Sequence, residues 1–244
     1  ICAESSSAIR SGKEYLILSD RGVGRNTVPI PALLAVGAVH HHLIREKLRS
    51  SSSLILETGE AREIAHFCLL VGYGVGAINP YLAFETFEKM LAEGTFAKEL
   101  TYENAVKNYL KSIRKGMFKV FAKMGISSIQ SYRGAQIFEA IGLSEEVIHE
   151  YFSGTPSKIS GVTEEVLGEE CLRRHASAYV DTPDLKNTLS VGGQYFWRRR
   201  GEYHQVNPTT TMLLQEATKK NSKEIQKKDT NRLNTKKKKE EKIS

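Results

Sequence analysis

The chain has 244 residues, 40% hydrophobic and 26% charged, the balance of a globular protein able to bury a core of its own. No run of about 18 apolar residues occurs, so no membrane-spanning helix is expected, and no basic-then-apolar leader is visible; Ile1 in first place reads as a piece that begins inside a domain. The formal net charge of +7 lies wholly between Lys219 and Ser244, where eleven basic residues meet four acidic ones, so the remaining body is neutral and a basic nucleic-acid face is not expected on it.

In chain order, Tyr15 to Leu18 is a short strand, and Ser19-Asp20-Arg21 lies at its C-terminal end, where α/β folds bind ligands. Asp20 and Arg21 read either as a polar rim or as a pair fixing the loop that follows. Pro29 and Pro31 suit a helix entry, and the helix runs from Ala32 to Leu48. Ser50 to Ser53 breaks it. Leu54-Ile55-Leu56 is a second strand. Thr58 is placed to cap the next helix, with Glu60 and Glu63 in its first turns. Ile64, Phe67, Cys68 and Val71 recur at helical spacing and form one buried stripe. Gly72 and Gly74 end that helix, Ala77-Ile78 is a third strand, and Pro80 leads into a further helix. Strands separated by helices pair in parallel through right-handed crossovers, so the fold class is α/β.

Thr101 to Met124 is a long amphipathic helix. Its stripe is Val106, Tyr109, Leu110, Ile113, Met117, Val120 and Phe121, and lysines and arginines cover the other side. Gly125 to Ile129 reads as a fourth parallel strand. Ser131 caps a helix that Gly142 and Leu143 end, and Ser144 with Glu145 and Glu146 starts another. Gly154 to Gly161 is a loop. Thr163 starts the helix carrying Cys171 and His175, Asp181 to Val191 is a loop, and Gly192 to Glu202 is polar and aromatic around Trp197. Asn207 caps a last helix with Pro208 in its first position. In the tail only Ile225, Leu233 and Ile243 are large and apolar, too few to offset the entropy of ordering, so residues 219–244 are expected to be disordered or an isolated helix.

Three patterns invite a chemical reading. His40, His41 and His42 stand in a row, but neighbours on a helix point about 100° apart and cannot converge on one metal ion. Gly72-Tyr73-Gly74-Val75-Gly76 is glycine-rich, yet it follows a helix and precedes a strand, the reverse of a dinucleotide loop. Cys171 and His175 are four apart, with no third group to orient them. Cys2, Cys68 and Cys171 are scattered, which suits a reducing compartment and no disulfide framework. No catalytic, cofactor-binding or metal residue is assigned.

Longer strings carry a resemblance. They are Leu18-Ser19-Asp20-Arg21, Ile30-Pro31-Ala32-Leu33-Leu34-Ala35, Gly37-Ala38-Val39-His40, Glu57-Thr58-Gly59-Glu60-Ala61-Arg62-Glu63, Gly72-Tyr73-Gly74 and Pro80-Tyr81-Leu82-Ala83. Further on come Lys123-Met124-Gly125-Ile126-Ser127, Ser131-Tyr132-Arg133-Gly134-Ala135-Gln136-Ile137-Phe138-Glu139-Ala140, Trp197-Arg198 and Gly201-Glu202-Tyr203-His204. In order and spacing, residues 1–218 resemble the end of the central domain of the glutamate synthase large (alpha) subunit and the approach to its flavin domain.

The resemblance implies an enzyme forming L-glutamate from glutamine and 2-oxoglutarate. An N-terminal cysteine releases ammonia, and a tunnel carries it to an FMN-bearing TIM barrel, where 2-iminoglutarate is reduced. A three-iron (3Fe-4S) cluster feeds the flavin from ferredoxin or from a small subunit that oxidises a pyridine nucleotide. Residues 1–95 are then the end of the central domain, 96–218 a mostly helical connection and the start of an incomplete barrel, and 219–244 the Lys-rich tail. The nucleophile lies upstream and the flavin and cluster residues downstream, so this piece is expected to act as scaffold beside the remaining domains of its subunit. The location implied is cytoplasmic, or the plastid stroma in a plant or alga. The other class of function is a non-catalytic module whose tail binds polyanions, recognisable by loss of binding when residues 219–244 are removed.

Overall fold

The computed structural model describes residues 1–96, 99–179, 197–198 and 204–220. The chain divides into two compact units, Ile1–Val180 and Asp181–Ser244. The first is a mixed α/β unit built on a parallel sheet of three strands in the order β1 (Tyr15–Ser19), β2 (Ser53–Glu57), β3 (Ala77–Asn79), with Leu16 level with Leu54 and Leu56 level with Ile78. Helix α1 (Cys2–Arg10) precedes β1, α2 (Ala32–Arg45) joins β1 to β2, and α3 (Ile64–Gly72) joins β2 to β3. Leu16, Leu54 and Leu56 point to one face, where they share a core with Ile9 of α1, Val36, Val39 and Leu43 of α2, and Phe67 and Leu70 of α3. All three helices therefore lie on the same side of the sheet.

Local chemistry sets the ends of these elements. A short 3₁₀ turn (Arg49–Ser51) separates α2 from β2, where the serine run predicted a break. Thr58 does not cap α3. Its buried hydroxyl accepts from the Glu60 amide, while Glu63 closes the helix entry in a capping box with His66. Gly72 is the last residue of α3 and Gly74 takes φ +103°. The Gly74 amide donates to the Val71 carbonyl and the Val75 amide to the Leu70 carbonyl, a Schellman end as the glycines predicted.

Two more helices pack on this layer. They are α4 (Tyr81–Ala92) and α5 (Tyr102–Lys123), the second capped by the Thr101 side chain, which accepts from the Asn104 amide. The stripe of α5 holds through Tyr109, Ile113, Met117, Val120 and Phe121, whereas Leu110 faces solvent. A β-carbon on Gly116 would land on Ile64, so this glycine lets α5 and α3 approach closely.

Beyond α5 the structure departs from the sequence reading. Residues 125–129 form no strand. Gly125 takes φ +71° as the Ile126 amide reaches back to the Phe121 carbonyl, and Ser128 then caps the short α6 (Ile129–Tyr132). That helix does not run on to Gly142. Instead Gly142 sits in β4 (Ala140–Leu143), and the predicted loop at 154–161 holds β5 (Ser157–Val162). β4 and β5 pair in parallel around α7 (Glu145–Tyr151), with register shifts on both sides of Ile141. Ser144 caps α7 as predicted, and α8 (Glu164–Ala178) begins after Thr163.

In the second unit, α9 (Pro208–Lys220) is described, and Asn207 Oδ1 caps it by accepting from the Thr209 and Thr210 amides. The loop read at 181–191, most of the segment at 192–202, and the tail beyond Lys220 lie outside the described residues.

Candidate functional site

The C-terminal ends of β1, β2 and β3 are where a parallel sheet offers chemistry, since loops and helix N-termini converge there. Glu57 ends β2 and accepts from three directions. Ser19 Oγ donates to Oε2 at 2.6 Å, Arg21 Nε to Oε1 at 2.7 Å, and Asn79 Nδ2 to Oε1 at 3.2 Å. One carboxylate thus ties together the ends of all three strands. Arg21 also donates to Glu85 Oε1 at 2.9 Å, and its guanidinium lies 4.1 Å above the Tyr81 ring, which joins α4 to the same knot. The Ser19 and Arg21 hydrogen bonds hold the Glu57 carboxyl below its usual range, and Glu57 and Glu85 hold the Arg21 guanidinium above its own.

Asp20 does not pair with Arg21. Its carboxylate accepts from Thr58 Oγ1 at 2.6 Å and from the Gly59 amide at 3.0 Å, fixing the turn after β2. Glu60 in that turn accepts from the Ala32 amide at 2.7 Å, an otherwise orphaned donor at the start of α2. Burial, with the neighbouring Asp20 carboxylate, pushes the Tyr81 phenol up to about 12. Both Asp20 and Arg21 thus have partners, but in other segments: the turn after β2 for Asp20, and β2 and α4 for Arg21. The alternation of short strands and acidic turn residues placed them at one edge, while the pairings depended on the register.

The three histidines diverge. His42 Nε2 shares a 2.7 Å hydrogen bond with Ser6 Oγ of α1, and His40 Nδ1 accepts from Arg49 Nε at 3.0 Å. Arg49 also donates to the carbonyls of Ser52 and Gly74, at 2.8 and 2.6 Å. Burial first, and the Arg49 charge second, lower the His40 pKa to about 4, so its ring is a neutral acceptor. His41 meets His40 edge to face, and its buried Nε2 makes no hydrogen bond within the described residues. Among the described residues no group of three or more His, Cys, Asp or Glu side chains is placed to hold a metal ion. The sequence did not single out Arg49, whose surroundings come from three separate segments.

The cysteines are equally apart. Cys68 is buried in α3 next to Tyr132, whose wholly buried hydroxyl makes no hydrogen bond of full geometry, and burial pushes the thiol above its usual range. On α8, Cys171 Sγ accepts weakly from Arg174 at 3.6 Å. His175 instead bonds the Gly24 carbonyl at 2.7 Å and stacks on Tyr179, so it does not activate the thiol.

Beside this edge a groove of about 530 Å³ runs along β1. Leu16, Ile17 and Leu18 of β1 form one wall, and Ser5 and Ala8 of α1 with Ala35 of α2 form the other.

Comparison with known proteins agrees with the strings quoted above. Residues 1–144 match the family model for the glutamate synthase central domain. The large chain of an NADPH glutamate synthase from Bacillus subtilis (strain 168) is 50% identical over 218 residues, which is 89% of this chain and 14% of that relative. An NADH glutamate synthase from Schizosaccharomyces pombe is 41% identical, covering 90% of this chain and 10% of the relative. A ferredoxin-dependent glutamate synthase 1, chloroplastic/mitochondrial, from Arabidopsis thaliana is also 41% identical, covering 91% and 14%. The chain thus spans about a tenth to a seventh of the length of these relatives. With well over half its residues inside the central-domain match, the chain belongs to the glutamate synthase family.

Proposed function

We infer that this chain is scaffold within a glutamate synthase large chain, the enzyme that forms L-glutamate from glutamine and 2-oxoglutarate. In this reading residues 1–95 close the central domain, 96–218 connect it to the start of the FMN barrel, and 219–244 are a Lys-rich tail. Its partners are the remaining domains of that subunit and, for the whole enzyme, ferredoxin or a pyridine-nucleotide-oxidising subunit. Among the described residues no helix is long and apolar enough to cross a membrane. The compartment follows that of the whole enzyme, cytoplasmic or plastid.

The observation that carries the reading is the condition of the polar groups at the sheet's C-terminal edge. Arg21 is engaged by two carboxylates, the Gly59 amide by Asp20, and Glu57 by three donors. Groups satisfied by one another hold loops in place and have little capacity left for a reacting molecule. An FMN phosphate calls for free amides and cations, whereas here Glu57 and Glu85 engage the one guanidinium of the knot and Asp20 takes the Gly59 amide. A three-iron cluster calls for converging thiolates, whereas Cys68 is sealed in a core beside Tyr132 and Cys2 and Cys171 lie on other helices. The described residues at this edge and around the cysteines fit neither group, and no step of the reaction is routed through them.

The test is to supply the purified chain with FMN, a dithionite-reduced mediator, 2-oxoglutarate and ammonia and to assay glutamate. No turnover above a protein-free blank and no stoichiometric yellow complex are expected. Either one would overturn the scaffold reading.

A further inference from the structure

β1 is an edge strand, and its edge is unusual in being neither charged nor covered among the described residues. The Glu14 carbonyl accepts from the Ser53 amide and the Asp20 amide donates to the Glu57 carbonyl, so even-numbered residues of β1 face β2. By the alternation of a parallel ladder, the backbone groups of Tyr15, Ile17 and Ser19 face the other way, and among the described residues β1 pairs with β2 alone. The side chains of Tyr15 and Ile17 are 66% and 65% exposed on the face opposite the helices. Natural sheets blunt such edges with charge, proline or bulges, and parallel sheets are normally covered on both faces. The stretch Tyr-Leu-Ile-Leu-Ser has none of those devices.

The position of α1 indicates what belongs there. The sheet is wound in one direction, β1 to β2 to β3, with each crossover helix on the same face. Helix α1 lies on that face too, packed on the flank of α2 through Ser6 to His42 at 2.7 Å and Arg10 to Glu46 at 2.5 Å. It runs directly into β1. A helix in that place is the crossover from a strand lying outside β1, because right-handed connections allow few other arrangements. The groove of about 530 Å³ adjoins that position, walled by β1, by Ser5 and Ala8 of α1, and by Val23 and Val28 of the loop that follows β1.

We propose that this groove receives an extended segment of the glutamate synthase central domain, from outside this chain, as a fourth parallel strand hydrogen-bonded to Tyr15, Ile17 and Ser19. The proposal rests on the chain being part of a larger glutamate synthase. The length is available, since the chain covers only 14% of its Bacillus subtilis relative. The segment has aliphatic or small residues at alternate positions, to meet Leu16, Leu18 and Ala8, and it extends the sheet rather than capping it.

Hydrogen exchange resolved to single amides tests this on two natural objects, the full 244-residue chain and the full-length Bacillus subtilis large chain. In the 244-residue chain, the amides of Tyr15, Ile17 and Ser19 exchange at least about tenfold faster than those of Leu16 and Leu18. In the full-length relative, the three aligned amides slow by about a hundredfold or more. Equal exchange in both proteins overturns the proposal. So does protection in the 244-residue chain alone that grows with concentration alongside a dimer mass, since the occupant would then be a second copy.

Ile17→Cys, with the aligned substitution in the relative, adds a second reading by maleimide labelling. A thiol blocked in the relative while the amides stay fast means a loop or helix lying over the face, which also overturns the strand. Neither readout involves turnover. Glutamate formation by the isolated chain would sink the scaffold reading without touching these amides, and unprotected amides would sink the strand while leaving the scaffold reading intact.

Discussion

The two parallel pairings in the first unit differ sharply. In the β1–β2–β3 layer, Leu54 of the central strand is wholly buried and is packed by helices on one side. In the β4–β5 ribbon, Ile141 and Ile159 are 74% and 58% exposed and the register slips twice within four residues. Parallel pairing is the weaker kind per residue and depends on helices to bury it. The first layer has that burial. The second is held at its rim, by α7, which in turn packs on α2, and by the Tyr73–Thr155 hydrogen bond just before β5. A parallel ladder is therefore a core in one place and an attachment in the other.

The strongest way to break this contrast is to truncate equivalent residues. Leu54→Ala removes a wholly buried side chain from the middle of the core, and a loss of about 2–5 kcal/mol is expected. Ile141→Ala removes a mostly exposed one, and a change within about 0.5 kcal/mol is expected. Urea unfolding followed by circular dichroism measures both. Similar losses at the two sites would mean that β4–β5 is buried in a way its exposure hides.

The same contrast explains what could be read from the sequence. The βαβαβ alternation from Tyr15 to Asn79 was legible because each strand is a short apolar run and each helix ends in a recognisable way, as at Gly72-Tyr73-Gly74. β4 was not legible. Ala140–Leu143 has Gly142 at φ +80° in its middle, and a β-carbon on Gly161 of β5 would meet the Gly142 carbonyl, so close backbone approach rather than apolar patterning makes that pair. The strand read at 125–129 failed for a related reason. Gly125, Ile126 and Ser128 belong to the end of one helix and the cap of the next, and two terminal motifs in succession imitate the alternation of a strand. At the candidate site, the acidic turn residues marked the right edge, but the partners of Arg21 come from β2 and α4 and depend on register.

The His40 position sharpens the picture of the layer's helical cover. Its folded pKa of about 4 lies below the unfolded value of 6.5, so between these values the unfolded state binds more protons. The stabilisation is therefore complete above pH 6.5 and is lost as pH falls towards 4, by up to about 3 kcal/mol. His40→Gln keeps an acceptor for Arg49 without titrating, and the fall in urea midpoint between pH 7 and pH 5 is expected to flatten in this variant. A profile unchanged from wild type would show that another group carries the acid sensitivity.

Gly37 lies at the seam between the two pairings. A β-carbon there would meet the Tyr151 carbonyl and the Phe152 ring, so α2 and α7 touch through bare backbone. A carbonyl cannot rotate aside as a side-chain end can. Gly37→Ala is thus expected to cost about 1–3 kcal/mol by overpacking. Hydrogen exchange is expected to rise first in α7, β4 and β5, while β2 stays protected. A uniform rise through both regions would mean that they form one cooperative unit and that the ribbon is no mere attachment.

The smallest effect is expected at the knot around Arg21, where the polar edge of the layer can be weighed against its core. Arg21 is 48% exposed and Glu85 51%, and exposed ion pairs contribute little because water and salt screen them. Glu57 is better enclosed and has Ser19 and Asn79 as further donors, so removing Arg21 leaves it two partners rather than none. A double-mutant cycle with Arg21→Met, Glu85→Gln and Glu57→Gln is expected to give weak coupling to Glu85 and stronger coupling to Glu57. Both should be smaller than the loss from Leu54→Ala, and the Glu85 coupling should vanish in about 1 M salt. If Arg21→Met instead destabilised the chain as much as Leu54→Ala, the three strands would depend on their polar clasp as much as on their helices. The distinction between a layer held by its core and a ribbon held by its rim would then fail.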